Sequence, residues 1–151
     1  MKVLIADDDP VSRRLLQSYM QKWGHDVTVA ENGTQAWDLF QHNDFPLVIS
    51  DWMMPGMDGP ELIGLIRAAK HAGYVYTILV TAKSQKEDLV QGMDAGADDF
   101  VAKPFDRDEL RVRLRQGERI IKLEHDLSEQ NRALLEAQQA LAKSGPTAKP
   151  S

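Results

Sequence analysis

Residues 1–10 read MKVLIADDDP, an apolar run that stops abruptly in three acids and a proline. The run VLIA does not alternate polar with apolar residues, so both faces of the segment are to be buried, as in a strand inside a parallel sheet. Asp9 can cap a helix that starts at Pro10. Its carboxylate accepts the unpaired amides of the first turn, and proline suits the first helical position. Val11, Leu15, Leu16 and Tyr19 would then share one face, and Gly24 supplies the stop. A strand that hands over directly to a helix is the repeating unit of an α/β fold.

The alternation continues along the chain. Runs rich in Val, Ile and Leu place strands at about 2–7, 26–30, 46–51, 75–81 and 98–102, with amphipathic segments between them. Ser84 with Glu87 has the spacing of a capping box for a fourth helix, and Asp106 with Glu109 repeats it for a fifth. The expected architecture is a doubly wound, five-stranded parallel sheet. Trp23 and Trp37 read as packing residues.

The chain has 151 residues, enough for one domain and an appendage. With 42% hydrophobic and 27% charged residues it can bury a core. It has no cysteine, which excludes disulfides, thiolate-bound zinc and thiol nucleophiles. His25, His42, His71 and His125 show no ligand spacing. There is no apolar run of the roughly 18 residues a membrane span needs, and the N-terminus meets acid too early for a signal peptide, so a cytoplasmic protein is expected. The formal net charge is −5, unevenly spread. Residues 1–104 hold nine basic against fifteen acidic side chains, while residues 105–151 hold nine against eight.

Ligands of doubly wound folds bind beyond the carboxyl ends of the strands. The residues there are Asp7, Asp8 and Asp9, then Asp51, Thr81 and the pair Lys103–Pro104. Carboxylates crowded into one pocket repel one another unless a cation sits among them. Mg²⁺ suits such a site, since it takes oxygen ligands from one or two carboxylates and a phosphate. A carboxylate can also act as a nucleophile toward phosphorus. Asp51, Mg²⁺ and Lys103 fit that chemistry, Thr81 can bond a phosphoryl oxygen, and the small Ala82 leaves the site open. Asp9 is better explained as a helix cap.

Four motifs then stand in order: DD at 7–8, DWMMPGMDG at 51–59, TA at 81–82 and KPF at 103–105. With them, residues 1 to about 125 resemble the receiver domain of bacterial two-component response regulators and are similar to the single-domain chemotaxis regulator. The resemblance implies a flavodoxin-like sheet of order 2-1-3-4-5, and a signalling module rather than an enzyme. It implies Asp51 as phosphoacceptor and a Mg²⁺ site of Asp7, Asp8, Asp51 and the Met53 backbone carbonyl. Thr81 and Lys103 would bind the phosphoryl group, the Lys103–Pro104 bond would be cis, and Phe100 would be the switch aromatic. The donor would be a histidine kinase, a phosphotransfer protein or a small phosphodonor. Met53 and Lys83 occupy positions that influence dephosphorylation in the family; Met53 cannot orient a hydrolytic water and implies a long-lived phosphoform. Trp52, beside Asp51, is a natural optical reporter.

Two other classes fit less well. A haloacid dehalogenase-type phosphatase shares the Asp nucleophile but needs a second Asp where this chain has Met53. A phosphorylation-independent scaffold or dimerisation module would keep the fold without needing the pocket.

From Asp106 to Ala142 there is no proline and one glycine, Gly117, so a single helix is expected over 106–142, continuing out of the receiver. Ile120, Leu123, Leu127, Gln130, Leu134, Ala137 and Leu141 step by three and four, the seam of a coiled coil. A second copy of the chain, in a parallel homodimer, is the expected partner. Arg111, Arg115 and Arg119 form a basic stripe, but acidic neighbours answer it, with Asp108–Arg111, Glu109–Arg113 and Glu118–Lys122 as pairs; direct nucleic-acid binding is not expected. Residues 143–151 have linker composition. In the family such helices often lead to an output domain.

Overall fold

A computed structural model of the chain describes residues 1–69, 73–82 and 86–148, with side chains over the same ranges apart from 86–89 and 144–148. The elements are β1 (Lys2–Ala6), α1 (Pro10–Lys22), β2 (Asp26–Ala30), α2 (Gly33–His42), β3 (Leu47–Asp51), α3 (Gly59–Ala68), β4 (Tyr76–Thr81), α4 (Lys86–Ala95), β5 (Asp99–Ala102) and α5 (Arg107–Ala148). All strand pairs are parallel, in the order β2-β1-β3-β4-β5. Every residue of the inner strands β3 and β4 is buried, which is why those segments are written without polar alternation.

Successive strand residues point to opposite faces and so build two cores. Val3, Ile5, Leu47, Ile49, Ile78 and Val80 face Leu16 and Met20 of α1 and Leu110 and Leu114 of α5. Leu4, Ala6 and Val48 face Ala36 and Phe40 of α2 and Leu62 and Ile66 of α3. A smaller cluster of Trp52, Ile63, Leu79 and Ala97 extends this second layer, with Phe100 packed against it.

Side chains set the helix starts. Asp9, Asn32 and Asp58 accept amides of Val11, Gln35 and Glu61 at 3.1, 2.7 and 2.8 Å, and Asp106 accepts those of Asp108 and Glu109. The expected Ser84–Glu87 box lies outside the described residues, as does Lys83. The buried face of α1 differs from expectation: Val11 is 75% exposed and Leu15 is also exposed, while Leu16 and Met20 are buried and Tyr19 and Trp23 pack beside them. At 100° per residue this second group shares one stripe, and Val11 lies well off it.

Two of the expected α5 pairs are replaced by tertiary contacts. Glu109 does pair with Arg113 at 3.2 Å, but Arg113 also reaches Asp99 at 2.7 Å, and Glu118 meets His25 at 2.8 Å rather than Lys122. Arg111 lies over the Trp23 ring, and Asp108 meets Arg107 instead. From the opposite face of the sheet Arg67 bonds the Gly96 and Val75 carbonyls, Thr77 and Asp98, and Tyr74 also bonds Asp98. This half-buried network ties the end of α3 to the start of β4 and to the turn before β5.

Helix α5 has 42 residues, about 63 Å at 1.5 Å rise, and it outlasts the domain. It also runs past the expected end at 142 to Ala148, so residues 143–148 continue the helix where a flexible tail is expected. Adding residues to an existing helix costs far less than starting one. Ile120, expected on the free seam, is half-buried together with Ile121 against the domain core.

Gly117 is where α5 crosses Tyr76: a Cβ there would stand 2.7 Å from the ring of that buried tyrosine. Helix propensity alone would make Gly117→Ala stabilising by about 1 kcal/mol. The crossing reverses the sign. A net loss of about 1–2 kcal/mol in urea unfolding is expected, and a gain would show that the close approach is not maintained in solution.

Candidate phosphoacceptor and metal site

Four loops meet at the C-terminal edge of the sheet, and the polar residues ending the strands converge there. Asp7 follows β1 and is fully buried; Asp51 ends β3, Thr81 ends β4, and both are buried. Asp8 is exposed beside them, and ligand oxygens of Asp7, Asp8 and Asp51 all lie within 4.8 Å of one another. Lys103, after β5, donates to Asp51 Oδ2 at 3.1 Å and lies 3.4 Å from Asp7 Oδ2. Its backbone amide bonds the Thr81 carbonyl at 2.8 Å, and its peptide bond to Pro104 is cis.

Local bonds hold these groups in place. Asp7 Oδ1 accepts the Asp9 amide at 2.9 Å, and the Asp7 carbonyl accepts Arg13 of α1 at 2.9 Å. Asp51 Oδ1 accepts the Trp52 amide at 2.9 Å. The Asp51 carbonyl passes so near Gly59 that a Cβ there would stand 2.5 Å from it, a steric reason for the glycine that closes the DWMMPGMDG motif. Asp9 stays outside the cluster. It caps α1, and hydrogen bonds from Ser12 and the Val11 amide hold its carboxyl below the usual range.

The electrostatics favour a cation. Burial, and then the charge of Asp7, push Asp51 up to about 6, against the pull of Lys103. Lys103 is opposed by its own burial but held above its ordinary value by Asp51 and Asp7. The single ammonium meets two buried carboxylates, and the buried Asp7 Oδ2 accepts no hydrogen bond from it. A hard divalent ion fits this donor set: three carboxylates, one with an unsatisfied buried oxygen, and an exposed side open to water.

Of the other sequence-derived candidates, Met53 has its side chain 74% exposed, pointing away from the core. Phe100 is half-buried and stacks on Trp52, with ring centroids 6.4 Å apart. That stack joins the residue after Asp51 to β5, and neither residue's local sequence announces it. Arg13 was likewise not legible as a support for Asp7, because it reaches a backbone carbonyl.

The chain matches the family described as response regulator receiver domain over residues 3–115. It belongs to that family. The "Chemotaxis protein CheY homolog" of Campylobacter jejuni is 37% identical over 116 residues, which span 76% of this chain and 89% of that protein. "Response regulator Rre1" of Synechocystis is also 37% identical, over 50% of its own length. Among solved structures, a Francisella response regulator receiver domain is 34% identical with a TM-score of 0.70, covering 77% of this chain and 94% of that one. Chemotaxis protein CheY4 of Vibrio cholerae is 29% identical with a TM-score of 0.72, covering 76% and 96%. The protein is therefore a response regulator receiver domain of two-component signalling, a signalling module with a long C-terminal helix. Among the described residues no helix is long and apolar enough to cross a membrane.

The raised value of Asp51 has a signed consequence. Its ionised form is harder to hold folded than unfolded, so the metal-free domain loses stability as pH rises from about 4 through about 6. Asp51→Asn removes that cost. At pH 7.5 without metal the variant is expected to be more stable by about 1–3 kcal/mol, a gain that fades below pH 5. Equal stabilities at both pH values would contradict the buried like-charge account.

Proposed function

We propose that Asp51 accepts a phosphoryl group from a histidine kinase, a phosphotransfer protein or a small phosphodonor. The observation that carries this is the buried Asp51 carboxylate, which accepts from Lys103 at 3.1 Å and shares one cluster with Asp7 and Asp8. In that role an Asp51 oxygen attacks phosphorus, an O–P bond forms, the bond to the donor nitrogen or oxygen breaks, and its electron pair leaves with the donor. Mg²⁺, held by Asp7, Asp8, Asp51 and the Met53 carbonyl, supplies positive charge against the phosphoryl oxygens when bound. Lys103 gives up its bond to Asp51 Oδ2 and pairs with the new phosphoryl group, and the Thr81 hydroxyl donates to it.

The change is read out along β4 and β5. Movement of Thr81 toward the phosphoryl group alters the space beside Phe100, whose ring already lies against Gly92 of α4 and against Trp52. In this reading residues 1–125 are the receiver, the helix beyond it is a connector, and the chain works as a homodimer through Leu123, Leu127, Leu134 and Leu141. The cytoplasm, where kinases and Mg²⁺ meet it, is its compartment.

Intact-protein mass after incubation with acetyl phosphate and Mg²⁺ tests the chemistry. One added phosphoryl group is expected, absent in Asp51→Asn and with EDTA. Met53→Asn, which restores a side chain able to orient water, is expected to shorten the phosphoform lifetime several-fold. A wild-type mass that never changes, with either a small donor or a kinase, would favour a phosphorylation-independent scaffold.

A further inference from the structure

Beyond Ile121, α5 carries an exposed apolar stripe. Leu123, Leu127, Leu134 and Leu141 are each more than half exposed. Written as a heptad, with Ile120 at position a, the domain-facing residues Leu110, Leu114, Gly117 and Ile121 fall at e and b, while the leucines fall at a and d. The two stripes are about a third of a turn apart at 100° per residue. A partner on the seam therefore meets the helix beside the domain and not through it. The back of the helix is already occupied by charge: Arg132 bonds Glu129 at 2.8 Å and reaches Glu136 at 4.0 Å, at positions f and c.

We propose that this seam pairs with a second copy of the chain as a parallel, in-register two-stranded coil, with Gln130 opposite Gln130 and Arg119 opposite Glu124. The proposal rests on the homodimer of the preceding section and fixes its geometry. Three features select a second copy in this orientation. Gln130 is the one polar member of the stripe between Leu127 and Leu134, and only an in-register parallel pair sets its amide against its own equivalent. Antiparallel pairing sets a layers against d layers, so Gln130 would face a leucine with its amide unanswered. The exposed Arg119 stands at g and the exposed Glu124 at the next e, which face each other across a parallel pair, once on each side of the two-fold axis. The remaining g–e pairs, Asp126 with Asn131 and Ala133 with Gln138, bring no like charges together. Pairing starts where the helix clears the domain, near Leu123, and both receivers are carried at the same end.

The chain has no cysteine, so single-cysteine variants of the full protein give a direct test. Light scattering of the wild type across micromolar concentrations is expected to show twice the chain mass. Ala137→Cys, at d, is expected to form a self-linked disulfide dimer under mild oxidation, while Arg132→Cys, at f, stays monomeric on a non-reducing gel. Arg119→Glu is expected to raise the dimer Kd about tenfold, and adding Glu124→Arg to restore it. A chain that is monomeric throughout overturns the homodimer itself. A dimer in which Ala137→Cys does not cross-link overturns the parallel register alone, leaving an antiparallel pair. Phosphorylation of Asp51 is read separately by mass, so its failure is not confused with either.

Discussion

Two carboxylates buried within reach of one ammonium are the constraint on which the rest of this molecule turns. Burial, and then the charge of Asp7, raise Asp51 to about 6, and Lys103 offsets only part of that rise. Such a cluster persists only because rigid backbone holds it. Each of its residues sits at the end of a different strand, and the strands lie side by side in a sheet buried on both faces. The stability invested in the two cores sustains an electrostatic conflict at one edge. In the proposed function a divalent cation supplies the positive charge that this conflict calls for.

The same sheet connects the site to the long helix. Strand β4 holds Thr81 at one end and Tyr76 at the other, and Tyr76 is the residue that α5 crosses at Gly117. Helix α5 is further pinned by Arg113 on Asp99 of β5 and by Glu118 on His25. A displacement among Thr81, Phe100 and Lys103 thus has short routes to the root of the helix. Beyond Ile121 no described residue of the helix belongs to the core clusters, so the angle of its far part is set at its root.

Much of this was legible in the chain because the signals were local. Unbroken apolar runs marked the strands to within a residue or so, and Asp9, Pro10 and Asp106 marked helix starts through amides in their own first turns. The convergence of Asp7, Asp8, Asp51 and Lys103 followed from strand ends once the strand order was expected. What was not legible depends on groups far apart in sequence. Glu118 has Lys122 one turn away, yet it meets His25 because the α1–β2 turn passes beneath α5. Val11 and Leu15 read as core, but the line of closest packing on α1 runs through Leu16 and Met20. Ile120 reads as seam because periodicity does not say where a helix leaves its domain. Arg67 carries no motif at all, though it satisfies four groups from two segments.

The claim at the centre is that Asp51, and no other carboxylate of the cluster, becomes covalently attached to phosphorus. Borohydride reduction of the phosphorylated protein converts an aspartyl phosphate to homoserine, which peptide mass spectrometry locates by residue. The account predicts homoserine at position 51 alone, with Asp7 and Asp8 unmodified. Homoserine at Asp7 or Asp8, or none in a protein that has demonstrably gained a phosphoryl group, would contradict it.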